Sequence, residues 1–272
     1  MPELPEVETV VCGLRPALVG RTLLSAWLDW PNSLVHPSPD EFLRQIPGQR
    51  VQRIDRRGKY ILIALTDATL IIHLKMTGRL YVAPDEAHKD ADRWVHFQFQ
   101  LDNRHQLRFS DSRKFGRVML TPDPSWVIGK LGPEPLADSF TLDVFRERLA
   151  GRKGALKPLL LNQSFIAGVG NIYADEALYR AGLHPLRTAD SLSEEEQARL
   201  YTSIRAALQA GIDHEGASIN WYRKPDGTTG ESQKHFFAYG QTGIPCQRCG
   251  TPIERIVVGQ RATHFCPTCQ RR

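Results

Sequence analysis

Apolar and polar positions follow different periods in successive parts of the 272-residue chain. Residues 5–14 place three valines and Leu14 on one face of a helical period, which predicts an N-terminal amphipathic helix. Residues 20–121 alternate with the period of a strand, and turns separate the short runs. Over residues 95–101 the alternation is strict, so apolar side chains are expected inward and His96 outward. The region therefore predicts a sandwich or barrel of short strands.

Helical signals dominate the second half of the chain. Residues 122–140 contain four prolines and two glycines and are expected to form a linker. Beyond them, Thr141 and Asn171 stand where they can cap helices, and Ser193 with Glu196 forms a capping box. These signals predict a helical domain after the strand-rich one.

The predicted fold class is α+β, arranged in three domains. Residues 1–130 hold the N-terminal helix and a β-sandwich, residues 131–235 the helical domain, and residues 236–272 a cysteine-rich β-hairpin. Residues 214–236 form one long loop, and such a loop in a compact domain is usually functional or disordered. The chain has neither a run of about 18 apolar residues nor the basic start of a signal peptide, so a cytoplasmic protein is expected.

The positive charge is concentrated near the C-terminus. The net charge is +5, and the stretch from Lys234 to Arg272 holds six basic residues against one acidic residue. Residues 1–233 therefore sum to zero. A local basic surface favours a polyanionic partner such as nucleic acid, although a solvated basic face gives the same count.

Four of the five cysteines have the spacing of a zinc site. Cys246, Cys249, Cys266 and Cys269 form the pattern C-x2-C-x16-C-x2-C. Four thiolates complete the tetrahedral coordination of one Zn²⁺, so its role is structural. Disulfides are the alternative, but a cytoplasmic chain disfavours them. The remaining Cys12 is expected to be a small buried apolar residue.

Six sequence blocks resemble the formamidopyrimidine-DNA glycosylase family, bacterial type. In order they are PELPEVE at 2–8, RGKY at 57–60, DSRKFG at 111–116, LGPEPL at 131–136, GVGNIYA at 168–174 and QRAT at 260–263. The match spans nearly the whole chain, and six ordered blocks together with the cysteine pattern are specific. The resemblance implies a DNA-repair enzyme that is both a glycosylase and an AP lyase and excises oxidised purines, 8-oxoguanine and formamidopyrimidines. It also implies a helix–two-turn–helix motif around residues 168–171.

The chain start can supply the chemistry that this resemblance implies. Removal of the initiator methionine leaves Pro2 with a free α-amine, whose pKa is about 7.7–8.0, so a usable fraction is neutral. This secondary amine can attack C1′ of a deoxyribose and collapse to an iminium, after which elimination breaks the strand. Glu3 can act as general acid on the sugar or the leaving base. By resemblance, Lys59 contacts phosphate and serves the first elimination, and Arg261 serves the second.

The resemblance also implies a set of DNA-contacting residues. An extruded base leaves a gap that side chains must fill. By resemblance Met76, Arg113 and Phe115 fill it, although core packing is the common role of a Met or Phe. The remaining residues implied are Lys153, Asn171 and His96 for the DNA backbone, and Glu6 and Ser218 for the everted base.

Two alternatives stay open at this point. The sister endonuclease VIII type prefers oxidised pyrimidines, but Leu4 favours the purine enzyme because the sister type usually has glycine there. A non-catalytic zinc-ribbon DNA-binding protein would explain the cysteines and the basic C-terminus, but not Pro2 or the acidic start. The expected partner is damaged double-stranded DNA, bound by a monomer at the nucleoid, with one structural zinc ion.

Overall fold

The computed structural model describes residues 1–85 and 92–272, which form two compact units. The first unit holds residues 1–130 and 215–230, and the second holds residues 131–214 and 231–272. The helices described are α1 (Leu4–Leu18), α2 (Pro39–Gln45), α3 (Ser125–Ile128), α4 (Leu142–Leu149), α5 (Leu156–Leu161), α6 (Asn171–Ala181) and α7 (Glu194–Asp213). None of these described helices is long and apolar enough to cross a membrane.

Two β-sheets and α1 build the first unit. The strands are β1 (Leu23–Leu28), β2 (Leu34–His36), β3 (Arg53–Arg57), β4 (Tyr60–Ala64), β5 (Thr69–His73), β6 (Arg79–Pro84), β7 (Val95–Leu101), β8 (His105–Ser110) and β9 (Arg117–Thr121). One sheet has the order β2-β9-β5-β4-β3 and the other β1-β7-β8-β6. Ile72 of the first sheet, Phe97 of the second and Val10 of α1 belong to one buried apolar cluster, so the predicted sandwich is confirmed.

Two side chains of this unit differ from the sequence prediction. His96 is only 4% exposed, so its predicted outward position is wrong. The reason is that the chain leaving β1, which pairs with β7, places Asp29 over it, and the carboxylate lies 2.7 Å from Nδ1. Cys12 is exposed rather than buried, and its thiol donates to Oε1 of Glu8 at 3.4 Å.

The second unit contains α4 to α7 and the C-terminal hairpin, β10 (Glu254–Val258) and β11 (Arg261–Phe265). Thr141 caps α4 by accepting the Val144 N–H, and the capping box predicted for α7 is present. The N-cap of α6 is Gly170, so the prediction that Asn171 caps this helix is wrong. The Asn171 amide donates instead to the carbonyl oxygen of Ala262 in β11, at 3.1 Å.

The hairpin follows the predicted layout. Val258 pairs with Arg261 across a two-residue turn, Gly259-Gln260, where both residues have positive φ. Such a turn matches the twist of two short antiparallel strands. The predicted α+β fold, with its N-terminal helix, sandwich, helical domain and terminal hairpin, is therefore confirmed.

Candidate active site

The start of α1 holds two nearly fully buried glutamates beside Pro2. Glu3 is the N-cap, and its carboxylate accepts the Glu6 N–H. In return, Oε2 of Glu6 accepts the Glu3 N–H at 2.8 Å, which completes a capping box. The helix dipole favours these negative charges at its N-terminus. The box fixes the orientation of Glu3, the residue that follows the candidate nucleophile.

Glu6 also holds the segment of residues 215–230, which belongs to the same unit. Its Oε1 accepts the Ala217 N–H at 2.8 Å. Gly216 has φ +79°, and a Cβ there would come within 2.9 Å of Cγ of Glu6, so glycine permits this close approach. Ser218 ties the segment to itself, since its hydroxyl donates to the Tyr222 carbonyl and accepts the Gly230 N–H.

Lys59 lies in the turn between β3 and β4 and is buried. Arg56 connects this turn to α1: its Nε donates to Oε2 of Glu8 at 2.8 Å, and Nη1 donates to the Gly58 carbonyl at 3.2 Å. Charge-assisted hydrogen bonds of this kind are short and directional. The turn that carries Lys59 is therefore fixed against α1, the helix that begins directly after Pro2 and Glu3.

His73, which the sequence analysis did not single out, lies in the same region. Its Nδ1 accepts the Lys75 N–H at 3.0 Å, so the proton of the neutral ring is on Nε2. Burial, and then the charges of Lys75 and Lys59, lower the pKa of His73 to about 3. It therefore offers a neutral donor close to Lys59. The sequence offered no reason to select His73, because it is the last residue of an apolar strand, β5, and no motif includes it.

Met76 and Phe115 are large apolar side chains held in water. They are 40% and 47% exposed, which argues against the core-packing alternative. The Arg113 guanidinium lies 4.7 Å from the centre of the Phe115 ring, within the range of a cation–π contact. Phe115 and Arg113 thus form an exposed apolar and cationic pair, and Met76 is a further exposed apolar side chain.

In the second unit, a buried charged network fixes the hairpin to α5 and α6. Lys157 and Asp175 are completely buried and form an ion pair. The second oxygen of Asp175 accepts the His264 N–H of β11 at 3.0 Å. The Asn171 contact described above holds the carbonyl next to Arg261, whose side chain is exposed at the hairpin tip. Lys153 is exposed before α5.

The geometry of the four cysteines fits one zinc ion. Their sulfur atoms all lie within 4.8 Å of one another. The Cys249–Cys266 and Cys246–Cys269 sulfur pairs are 3.5 and 3.9 Å apart. Four Zn–S bonds of about 2.3 Å in a tetrahedron place the sulfurs roughly 3.8 Å apart, so the cluster matches this ion. The Tyr179 hydroxyl lies 3.2 Å from the Cys246 sulfur, within hydrogen-bond distance, and so helps to orient this ligand.

The structure distributes the predicted site residues over both units. In the first unit, Glu3 and Glu6 lie at the start of α1, and Glu6 contacts the segment of residues 215–230, which contains Ser218. His96 is buried beside Asp29. The second unit holds Lys153, Asn171, Arg261 and the four cysteines, and the Asn171 side chain in α6 binds the Ala262 carbonyl beside Arg261 in the hairpin. The sequence did not predict the contacts that hold these residues in place, which are made by Arg56, His73 and Asp175.

Comparison with known proteins assigns the chain to a family. Models of the formamidopyrimidine-DNA glycosylase N-terminal domain, the H2TH domain of that enzyme, and a zinc finger found in FPG and IleRS match residues 1–118, 131–223 and 243–272. Formamidopyrimidine-DNA glycosylase from Herpetosiphon aurantiacus is 52% identical, covering 99% of this chain and 100% of the relative. The relative of that name from Protochlamydia amoebophila is 45% identical, with full coverage of both chains.

Solved structures agree with the sequence matches. A Lactococcus lactis FPG mutant, crystallised with Fapy-dG-containing DNA, superposes with a TM-score of 0.93 at 37% identity and covers 100% of both chains. A MutM structure in complex with carbocyclic 8-oxo-G-containing DNA gives 0.91 at 38% identity, again with full coverage. Thermus thermophilus MutM gives 0.89 at 41% identity, covering 99% of this chain and 98% of the other. The chain belongs to the formamidopyrimidine-DNA glycosylase family.

Proposed function

We propose that this chain excises oxidised purines from duplex DNA and then cleaves the strand at the resulting site. The family is known as a DNA glycosylase with AP lyase activity. Two of the solved relatives were crystallised with DNA that contains Fapy-dG or an 8-oxo-G analogue. The observation that carries the proposal is the reciprocal capping box of Glu3 and Glu6, which fixes an acid directly after Pro2.

The proposed reaction starts once Met1 has been removed. The Pro2 nitrogen attacks C1′ and loses its proton, and the glycosidic bond breaks to release the base. The C1′–O4′ bond then opens to give the Pro2 iminium, and Glu3 supplies a proton to the departing base or to O4′ of the sugar. The protonated Schiff base acidifies the C2′ proton. Loss of that proton drives β-elimination of the 3′ phosphate, which Lys59 assists, and δ-elimination of the 5′ phosphate follows with Arg261 near that group.

The remaining site residues have proposed roles in holding the DNA. Met76, Arg113 and Phe115 fill the gap in the duplex, and the exposure of Met76 and Phe115 with the Arg113–Phe115 contact supports this assignment. Lys153 is proposed to contact phosphate. Asn171 is proposed to contact the DNA next to Arg261, because its amide donates a hydrogen bond to the Ala262 carbonyl.

The remaining assignments concern the everted base, His96, zinc and the location of the enzyme. Glu6 and Ser218 stay the proposed contacts to the everted base, since both hold the segment of residues 215–230. For His96, its burial against Asp29 argues against a phosphate contact. The four cysteines hold zinc, which supplies rigidity to the hairpin and no catalytic step. We propose that the enzyme is a monomer. It acts on damaged DNA in the cytoplasm, at the nucleoid.

Borohydride trapping tests the proposal directly. Purified protein is incubated with a duplex carrying 8-oxoguanine opposite cytosine, and borohydride then reduces any iminium to a stable crosslink. We expect the crosslinked peptide to begin at Pro2, and a variant that retains Met1 ahead of Pro2 to lose strand cleavage far more than DNA binding. Zinc-loaded protein that lacks Met1 and yields no crosslink would refute the purine assignment, and an oxidised pyrimidine would then be tried.

A matched pair of variants tests the role of Glu3. Glu3→Gln is expected to lower base excision by about 10²–10⁴-fold, the usual contribution of a general acid. Glu41→Gln changes an exposed glutamate in the first turn of α2 and should leave the rate within about twofold. Equal effects of the two substitutions would contradict the assignment of Glu3.

A further inference from the structure

We infer that Asp111 and Thr77 are positioning residues that lock two turns into one rigid wedge for base extrusion. The wedge consists of Met76 on one turn and Arg113 with Phe115 on the other. The inference rests on the proposed function and assigns a role to two buried residues.

The topology places the two turns side by side. Residues 74–78 lead from β5 in one sheet to β6 in the other, and residues 111–116 return from β8 to β9. The flanking strands are paired: His73 lies opposite Arg117, and Arg79 lies opposite Ser110. Both turns therefore cross between the sheets at the same end of the sandwich.

A buried carboxylate joins the two turns. Asp111 is 1% exposed, and its Oδ1 accepts the Thr77 hydroxyl from the other turn. The same oxygen accepts the Arg113 N–H at 3.2 Å, and Oδ2 accepts the Gly116 N–H at 2.6 Å. The hydroxyl oxygen of Thr77 also lies 3.3 Å from the Arg113 nitrogen, as a second acceptor. One side chain thus closes its own turn and binds the neighbouring one.

The backbone at the wedge residues needs such support. Lys75 and Lys114, which directly precede Met76 and Phe115, have φ values of +53° and +59°. Non-glycine residues rarely adopt this left-handed region, and they persist there only where surrounding contacts over-determine the conformation. The hydrogen bonds that the Asp111 carboxylate accepts from the Arg113 and Gly116 N–H groups supply those contacts for the second turn.

One aromatic ring lies beneath both turns. A Cβ at Gly116 would come within 2.3 Å of Cζ of Phe109, and a Cβ at Gly78 within 2.9 Å of Cε2 of the same ring. The backbones of both turns therefore rest on Phe109. Unlike the buried Phe109, Met76 and Phe115 are 40% and 47% exposed, so their apolar side chains already face solvent in the absence of DNA.

A pre-formed wedge has a physical advantage in this reaction. Extrusion requires unstacking of the target base, and any ordering of the inserting side chains adds to that barrier. Two turns that moved independently would have to be ordered during insertion. The Asp111–Thr77 contact removes that requirement, so its loss should slow extrusion of a stacked base more than cleavage of an unpaired one.

Substitutions at Thr77 can separate the loss of the hydroxyl from a change of side-chain shape. Thr77→Val removes the hydroxyl at nearly constant shape, and Thr77→Ser retains it. Thr121→Val is the control, since Thr121 is buried in β9 and its hydroxyl donates to the Asp123 carbonyl. Asp111→Asn is a second variant, in which an amide nitrogen replaces one of the two accepting oxygens.

The readout compares paired and unpaired lesions. Stopped-flow fluorescence of 2-aminopurine next to the lesion reports extrusion, and kcat/KM is measured with 8-oxoguanine paired to cytosine and in a single-base bulge. For Thr77→Val we expect about a tenfold loss on the paired lesion and at most about twofold on the bulge, the scale of one lost buried hydrogen bond. Thr77→Ser should recover the wild-type ratio, and Thr121→Val should keep it.

Amide hydrogen exchange provides a readout that needs no substrate. Exchange at Arg113 and Gly116 should accelerate in Thr77→Val and Asp111→Asn but not in Thr121→Val. Equal losses on both lesions, or unchanged exchange in Thr77→Val, would overturn the coupling of the turns. A wild-type protein that cleaves neither lesion would refute the proposed function and the extrusion role with it, whereas the exchange result would still decide whether the turns are coupled.

Discussion

Replacement of His73 by glutamine should flatten the pH dependence of stability. The pKa of this imidazole is lowered from its ordinary 6.5 to about 3, chiefly by burial and then by Lys75 and Lys59. Between these two values the unfolded chain binds a proton that the native protein does not bind. The free energy of unfolding therefore falls as the pH falls below 6.5, and this contribution is fully present only above that value.

The size of the effect follows from the same two pKa values. Each unit of difference is worth about 1.4 kcal/mol, so moving from pH 8 to pH 5 costs the wild-type protein about 2 kcal/mol through His73 alone. His73→Gln cannot bind this proton in either state. The variant should accordingly lose about 2 kcal/mol less than the wild type over the same interval, whatever its stability at pH 8.

Urea unfolding at several pH values between 8 and 5 measures this difference. Tyr60→Phe is a suitable control, because its ring packs 4.7 Å from the His73 ring while the imidazole stays in place. That variant should keep the wild-type pH dependence. Parallel stability curves for His73→Gln and the wild type would show that native His73 takes up the proton, and the burial argument would then be wrong.

Three further substitutions or treatments test other parts of the molecule. Lys153→Gln should reduce the slope of log affinity against log salt by about 0.9 in DNA-binding titrations, as expected for one lost phosphate contact. Lys157→Met leaves the Asp175 carboxylate buried without its ion-pair partner and should cost about 3–5 kcal/mol in chemical denaturation. Removal of zinc with a chelator should unfold the hairpin and abolish strand cleavage, with recovery on zinc addition.

Local patterns predicted the elements of this fold well. The capping box at Ser193 and Glu196 begins α7 as expected, because all its contacts lie within one helical turn. The zinc cysteines were equally predictable, since each C-x2-C turn brings two sulfurs together without help from distant residues. Strand alternation in β7 likewise identified its buried apolar face.

The errors arose where a distant residue decided the outcome. His96 is buried because Asp29, 67 residues away in the sequence, covers it. Asn171 does not cap α6 because its amide binds the carbonyl of Ala262, 91 residues away. The pattern of apolar and polar residues in either segment cannot predict a hydrogen-bond partner that is distant in the sequence. For the same reason the Glu6–Ala217 contact, across 211 residues, was not foreseen although Glu6 itself was a candidate.

The acidic chain start illustrates how geometry resolves an apparent conflict in the charge pattern. Glu3, Glu6 and Glu8 precede any basic residue and should repel a DNA backbone. In the structure each has a local use: Glu3 and Glu6 accept backbone N–H groups in the capping box, and Glu8 pairs with Arg56. Their charges are thereby offset by the helix N-terminus and by a guanidinium. An acid can therefore stand beside the candidate nucleophile without leaving three uncompensated negative charges to face the phosphates.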